Sequence, residues 1–185
     1  TPYSPATSSY NDRSPAYFFA HRFPADIFSK DSKLFLRFKE QISRHLYTEY
    51  NKNVFKNKLP SDMPLEWSGR LRSTAGQFVY HPKDQSSKIV LSTKVLDRYS
   101  RLRRTLCHEM CHAAVRIIDG DTSQAPHGAL WKAWTHRAMN KYRNLKISTT
   151  HDYEIDYKWV YECKKCSKRY GRHSNSIDLS SQRCG

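Results

Sequence analysis

His108, Glu109 and His112 fall in the run Leu106-Cys107-His108-Glu109-Met110-Cys111-His112, which reads H-E-x-x-H. On a helix, side chains four residues apart stack on one face, so both imidazoles can reach one metal ion. The glutamate is offset by one position, so its carboxylate can stand beside that metal without ligating it. Two imidazole ligands with a general base form the zinc-hydrolase arrangement. The flanking Leu102, Leu106, Met110, Ala113, Ala114 and Ile117 describe a buried helix, and burying a glutamate there without a metal is costly. Cys107 and Cys111 read as small apolar residues of the same helix.

A catalytic zinc takes three protein ligands and keeps one open position. The metzincin pattern would place Gly at 115 and His at 118, where this chain has Val115 and Ile118. A glutamate from a later helix is also excluded, because residues 122–151 contain neither Asp nor Glu. His127 and His136 remain. They lie about 180° apart around a helix, so only one of them can face the metal. His127 precedes Gly128 at the expected helix start, with Trp131 and Trp134 on its side. It is the expected third ligand, and His136 reads as a surface histidine. The expected chemistry is zinc-dependent hydrolysis, with Glu109 taking and returning the proton.

Cys163-x-x-Cys166 and Cys184 form a second cluster. An odd total of five cysteines with a C-x-x-C is a metal signature rather than a disulfide framework, and it suits a reducing compartment. A structural zinc takes four ligands, and three thiolates are present. Around them Lys158, Lys164, Lys165, Lys168, Arg169 and Arg172 interleave with Tyr157, Trp159, Tyr161 and Tyr170. Cations follow phosphates and aromatic faces stack on bases, so this segment reads as a surface for single-stranded nucleic acid. Lys158, Trp159, Tyr161, Lys164, Lys165, Lys168, Arg169 and Arg172 are the expected contacts. Arg98, Arg101, Arg103 and Arg104 form a second basic stretch at the start of the metal helix, where cations oppose the helix dipole. They point to DNA or to a carboxylate of the chain itself, such as Asp97.

The elements that must position these residues can be read from period and punctuation. Apolar residues recur at helical spacing from about Asp31 to Asn53, with Asp31 or Ser32 as the cap. Leu65–Trp67, Gln77–Tyr80 and Lys88–Leu91 read as a small antiparallel sheet broken at Gly69, Gly76 and His81-Pro82. The metal helix should run from about Asp97 to Ile118 and stop at Asp119-Gly120. Another helix is expected over about Gly128–Tyr142, and a Cys-, Lys- and Tyr-rich ribbon beyond Thr150. The fold class is therefore α+β: a zincin-like metalloprotease subdomain over 28–150, a zinc-ribbon-like subdomain over 151–185, and a Ser/Thr/Pro-rich linker or disordered tail over 1–27.

The 185 residues suffice for one moderate domain with an appendage, and 4 Trp, 12 Tyr and 8 Phe can fill its core. A net charge of +15, from 32 Lys and Arg against 17 Asp and Glu, favours nucleic acid or an acidic surface as partner. No apolar run approaches membrane-spanning length and no signal peptide is visible. A chain beginning at Thr1 reads as a fragment.

Several segments together resemble the SprT-like (Spartan-related) metalloprotease domain: 46–59 (LYTEYNKNVFKNKL), 67–76 (WSGRLRSTAG), 89–95 (IVLSTKV), 102–114 (LRRTLCHEMCHAA) and 127–131 (HGALW). The text at 152–161 (DYEIDYKWVY), the C-x-x-C and 171–178 (GRHSNSID) look most similar to the germ cell nuclear acidic protein branch. The resemblance covers roughly residues 28–185. It implies a nuclear, DNA-stimulated zinc protease that digests proteins crosslinked to DNA. It also implies a catalytic zinc on His108, His112 and His127, with Glu109 as base. The family ribbon resembles C-x-x-C followed by C-G-x-C, which puts the fourth ligand of a structural zinc beyond Gly185, His173 being the alternative. Two other readings are a nucleic-acid-binding module whose metals are both structural, and a zinc peptidase unrelated to DNA.

Overall fold

The computed structural model describes residues 33–121, 123, 125–150 and 157–184. The expected tail over 1–27 and the caps Asp31 and Ser32 lie outside the described residues.

Helix α1 (Lys33–Asn53) buries Phe35, Ile42, Leu46, Tyr47 and Tyr50, one stripe of an amphipathic pattern. Leu34 and Phe38 flank that stripe half-buried. The chain then forms strands β1 (Leu65–Ser68), β2 (Gly76–His81) and β3 (Ser86–Ser92). Helix α2 (Tyr99–Ile117) carries the H-E-x-x-H, and α3 (Ala129–Lys141) follows with Gly128 as its N-cap. Gly120, at φ 68°, turns the chain out of α2, which only glycine does without strain. Strands β4 (Trp159–Glu162) and β5 (Arg169–Arg172) close the described chain as a two-stranded antiparallel ribbon.

The three-stranded sheet is mixed, which corrects the all-antiparallel expectation. Its order is β1-β3-β2, with β1 parallel to β3 and β2 antiparallel to it. The cause lies in residues 69–75, which carry the chain past the place beside β1 to the far edge. Ser92 pins that excursion: its Oγ donates to the Leu71 carbonyl at 2.6 Å and its N–H to the Ala75 carbonyl at 2.9 Å. A tight turn, with Gln85 at φ 54°, then returns β3 into the gap.

One core joins these elements. Buried Leu102, Leu106, Met110 and Ala113 of α2 meet Leu46 and Tyr50 of α1, Ile89 and Leu91 of β3, and Trp131 and Ala138 of α3. Helix α2 therefore runs through the middle of the molecule, which fixes the direction of its histidine face.

Candidate metal centre

Three histidine rings meet where α2 passes the start of α3. The Nε2 atoms of His108 and His112 are 3.1 Å apart, and those of His108 and His127 are 3.2 Å apart. A tetrahedral zinc with Zn–N bonds of about 2.0–2.1 Å has N···N edges of about 3.3 Å, so the donor set has the size a zinc ion needs. The second-shell bond points the same way. His108 Nδ1 lies 3.0 Å from the Ser148 carbonyl, which can only accept. Nδ1 must then carry the proton, leaving the Nε2 lone pair facing the cluster. Trp131 walls the centre, with its ring centroid 4.8, 5.6 and 4.5 Å from those of His108, His112 and His127.

His136 is exposed on α3, away from this group. Trp134 does not lie under the histidines as its spacing suggested: its indole N–H donates to Asp119 Oδ2 at 2.7 Å, and its ring packs against Phe55. Cys111 is fully buried, and burial pushes its thiol well above the ordinary range. It stays protonated, which suits packing and not ligation.

Glu109 is 4 % exposed, and its Oε2 accepts the Phe78 backbone N–H at 2.8 Å. The carboxylate is thus held from β2. That approach requires Gly76, because a Cβ there would lie 2.7 Å from Thr105 Cγ2, 3.1 Å from Glu109 Cγ and 3.3 Å from Glu109 Oε1. Sequence reading treated Gly76 as a strand break and missed its contact with Glu109. An isolated glycine entering a strand is a signal of close backbone approach.

A cleft of about 550 Å³ opens over the histidines, lined on one side by Gly76, Gln77, Phe78 and Tyr80 of β2. Since β2 is an edge strand, its outer backbone faces this cleft. Arg116, one turn beyond His112, closes one flank with its guanidinium 4.1 Å over the Tyr80 ring.

Residues 43–151 match the SprT-like family. The chain belongs to the SprT-like family. Among similar proteins, this SprT-like chain is 42% identical over 153 residues to the germ cell nuclear acidic protein of Drosophila melanogaster, covering 81% of the chain and 14% of that protein. It is 35% identical over 150 residues to the germ cell nuclear acidic protein of Homo sapiens, covering 78% of the chain and 21% of that protein. The DNA-dependent metalloprotease SPRTN of Homo sapiens is a more distant match, 30% identical over 115 residues, or 60% of the chain and 23% of that protein. The SprT-like chain thus spans a minor part of each of these relatives.

In the ribbon, the Sγ atoms of Cys163, Cys166 and Cys184 lie within 4.8 Å of one another. Backbone amides of Cys166 and Lys165 bond to the Cys163 sulfur and lower its pKa to about 7, favouring the thiolate a metal would take. His173 is turned elsewhere: its Nε2 sits 3.1 Å from the Arg72 carbonyl and its ring packs near Tyr157. The alternative of His173 as a fourth ligand therefore finds no geometric support. Tyr161 donates to Asn175 and Tyr170 reaches Cys184, so both phenols are engaged within the ribbon, while Trp159 stays 39% exposed. Lys158, Lys164, Lys165, Lys168 and Arg172 are exposed, and Arg169 pairs with Glu162 at 3.4 Å.

The arginines at the start of the metal helix make contacts within the fold. Asp97 takes two bonds from Arg98 at 2.8 Å and one from Arg101 at 3.1 Å. Arg104 donates to the Lys146 carbonyl, and Arg103 lies over Tyr99. Asp97, a carboxylate of the chain itself, is thus a partner of Arg98 and Arg101. No helix among the described residues is long and apolar enough to cross a membrane.

Proposed function

We propose that this SprT-like chain is a zinc-dependent endopeptidase that degrades proteins covalently crosslinked to DNA, is stimulated by DNA, and works in the nucleus. One observation carries the reading: three imidazole nitrogens at zinc-ligand spacing, with an adjacent buried carboxylate, at the floor of an open cleft. The name of a matched relative, a DNA-dependent metalloprotease, supports the choice of reaction and of DNA as stimulus. The relatives named as nuclear proteins support the compartment.

In this reading His108, His112 and His127 hold the catalytic zinc. A zinc ion so bound supplies Lewis acidity and brings the pKa of water to around 7. Glu109 takes the proton as water attacks the peptide carbonyl and delivers it to the leaving amine. The Phe78 N–H holds one carboxylate oxygen, so the base keeps its direction through both transfers. The outer edge of β2 can pair with an extended substrate through backbone hydrogen bonds, which suits cleavage with little side-chain selectivity. Cys163, Cys166 and Cys184 hold a structural zinc. Lys158, Trp159, Tyr161, Lys164, Lys165, Lys168, Arg169 and Arg172 meet single-stranded or junction-containing DNA, with exposed Trp159 as the stacking face. The protease part spans 28–150 and the ribbon 151–185, with 1–27 as a linker.

The test compares the wild-type chain with Glu109→Gln on a DNA–protein crosslink, with and without added DNA. Cleavage should need DNA, zinc and Glu109. The glutamine variant should keep its zinc, because its amide oxygen still accepts the Phe78 N–H. Proteolysis surviving in a clean Glu109→Gln preparation would remove the mechanism.

A further inference from the structure

A second basic cleft lies on the protease part, sharing no lining residue with the metal cleft or the ribbon. It is a groove of about 600 Å³ between the turn after α1 and the last turns of α3. Lys56, Lys58, Arg137 and Lys141 line it, and no carboxylate does. All four are exposed. Glu49 accepts the Asn53 amide at 3.1 Å and Asp119 the Trp134 indole at 2.7 Å, and neither carboxylate lines the groove.

Helix dipoles offer a structural reason for cations at this place, because the carbonyl ends of both α1 and α3 face the groove. Each end is worth about half an elementary negative charge, so four cations leave about three positive charges in excess. The groove is overcompensated, and dipole neutralisation does not account for it. Its floor narrows the ligand class. Phe55 is fully buried and Trp134 is 6% exposed beneath the Arg137 guanidinium, 4.5 Å away. Both aromatic rings are thus covered, and every charged side chain of the lining is an exposed cation, which suits a ligand carrying repeated negative charges on a continuous backbone.

We infer that this groove is a second nucleic-acid site, holding the phosphodiester backbone of the DNA that the ribbon engages. The inference rests on the function proposed above and extends it. The protease part itself grips the strand that carries the crosslinked protein, without reading its sequence.

The experiment measures binding of an oligothymidylate across salt concentrations by the full zinc-loaded chain and by a Lys56→Gln/Lys58→Gln/Lys141→Gln variant. Arg137 is kept because it packs on Trp134. Each lost single-strand phosphate contact lowers the slope of log affinity against log salt by about 0.7, so the triple variant should lose about 2. Between roughly 50 and 200 mM salt, wild-type affinity should then fall about 20-fold more than the variant's. The corresponding triple Lys→Arg variant should keep the wild-type slope, and equal zinc content and unfolding temperature establish that the fold is intact. An unchanged slope in the glutamine variant overturns the site. So does a variant that loses affinity for poly-glutamate while binding oligothymidylate normally, which would make the groove an acidic-peptide site. Glu109-dependent cleavage is scored separately. Its absence with a reduced slope removes the protease reading and keeps the groove. Its presence with an unchanged slope does the reverse.

Discussion

Gly76→Ala tests whether the general base is positioned from the sheet. The new methyl would sit 2.7 Å from Thr105 Cγ2, 3.1 Å from Glu109 Cγ and 3.3 Å from Glu109 Oε1. Helix α2 is packed into the core and β2 is paired along its length with β3, so neither backbone can simply retreat. Over-packing of this kind costs about 1–3 kcal/mol. For a chain of this size that lowers the unfolding temperature by about 2–12 °C. The catalytic effect should be larger in proportion, because Glu109 must yield by several tenths of an ångström and its bond to the Phe78 N–H turns with it. A misplacement approaching 1 Å costs on the order of 100-fold in rate, so a fall of about 10- to 100-fold in kcat is expected. Zinc content should not change, since the atoms nearest the new methyl belong to Thr105 and Glu109 and not to a histidine. Adding Thr105→Ser removes the shortest contact. It should restore most of the stability and little of the rate. The assay pairs kcat on a crosslinked substrate with zinc stoichiometry and thermal unfolding. Wild-type kcat in a folded Gly76→Ala chain would show that Glu109 does not depend on this close approach.

His127→Ala should abolish high-affinity zinc binding at the histidine centre, while His136→Ala should leave it intact, as read by metal analysis after dialysis. Trp131→Ala strips the wall from all three imidazoles and should weaken zinc binding by about 10- to 100-fold in chelator competition, the usual cost of losing second-shell support. Asp97→Asn should destabilise the chain by about 1–2 kcal/mol in urea, a value reduced for the partial exposure of the carboxylate. Burial raises the Asp97 pKa, but the hydrogen bond from Arg98 and the charges of Arg101 and Arg98 outweigh it and leave it lowered. Its contribution is therefore fully present above the ordinary carboxylate value and is lost as pH falls below about 4. The stability gap between wild type and Asp97→Asn should hold steady from neutral pH down to about 5 and close in more acidic solution.

The helices and the histidine triad were legible because helical period is a local property. The spacing of Leu102, Leu106 and Met110 sets the buried face of α2, and that face fixes where His108 and His112 point. His127 lies in the turn before α3 rather than on its face, so it reaches His108 through the chain's entry into that helix and not through helical opposition to His136. Sheet order was not legible, because nothing within Leu65–Ser68 states that a strand two elements later will pair beside it. The supports of the site were hidden for another reason. The Phe78 N–H and the Ser148 carbonyl are backbone groups that every such residue possesses, so only the fold reveals that they face Glu109 and His108. The arginines of 98–104 were legible in part: a basic run at a helix start calls for an acidic partner, and Asp97, the carboxylate named for it, pairs with Arg98 and Arg101.

The Ser148 carbonyl sets how far this SprT-like chain can be cut down. Helix α3 ends at Lys141, and a fragment stopping just past that helix would keep the helices, the sheet and all three imidazoles. It would nevertheless lose the acceptor that holds the proton on His108 Nδ1, and the ring could then place that proton on the nitrogen meant for the metal. Such a fragment would also lose Leu145 from the core and the Lys146 carbonyl from Arg104, so it should be less stable as well as bind zinc more weakly. The smallest self-sufficient unit therefore reaches beyond Ser148, through residues with no regular secondary structure of their own.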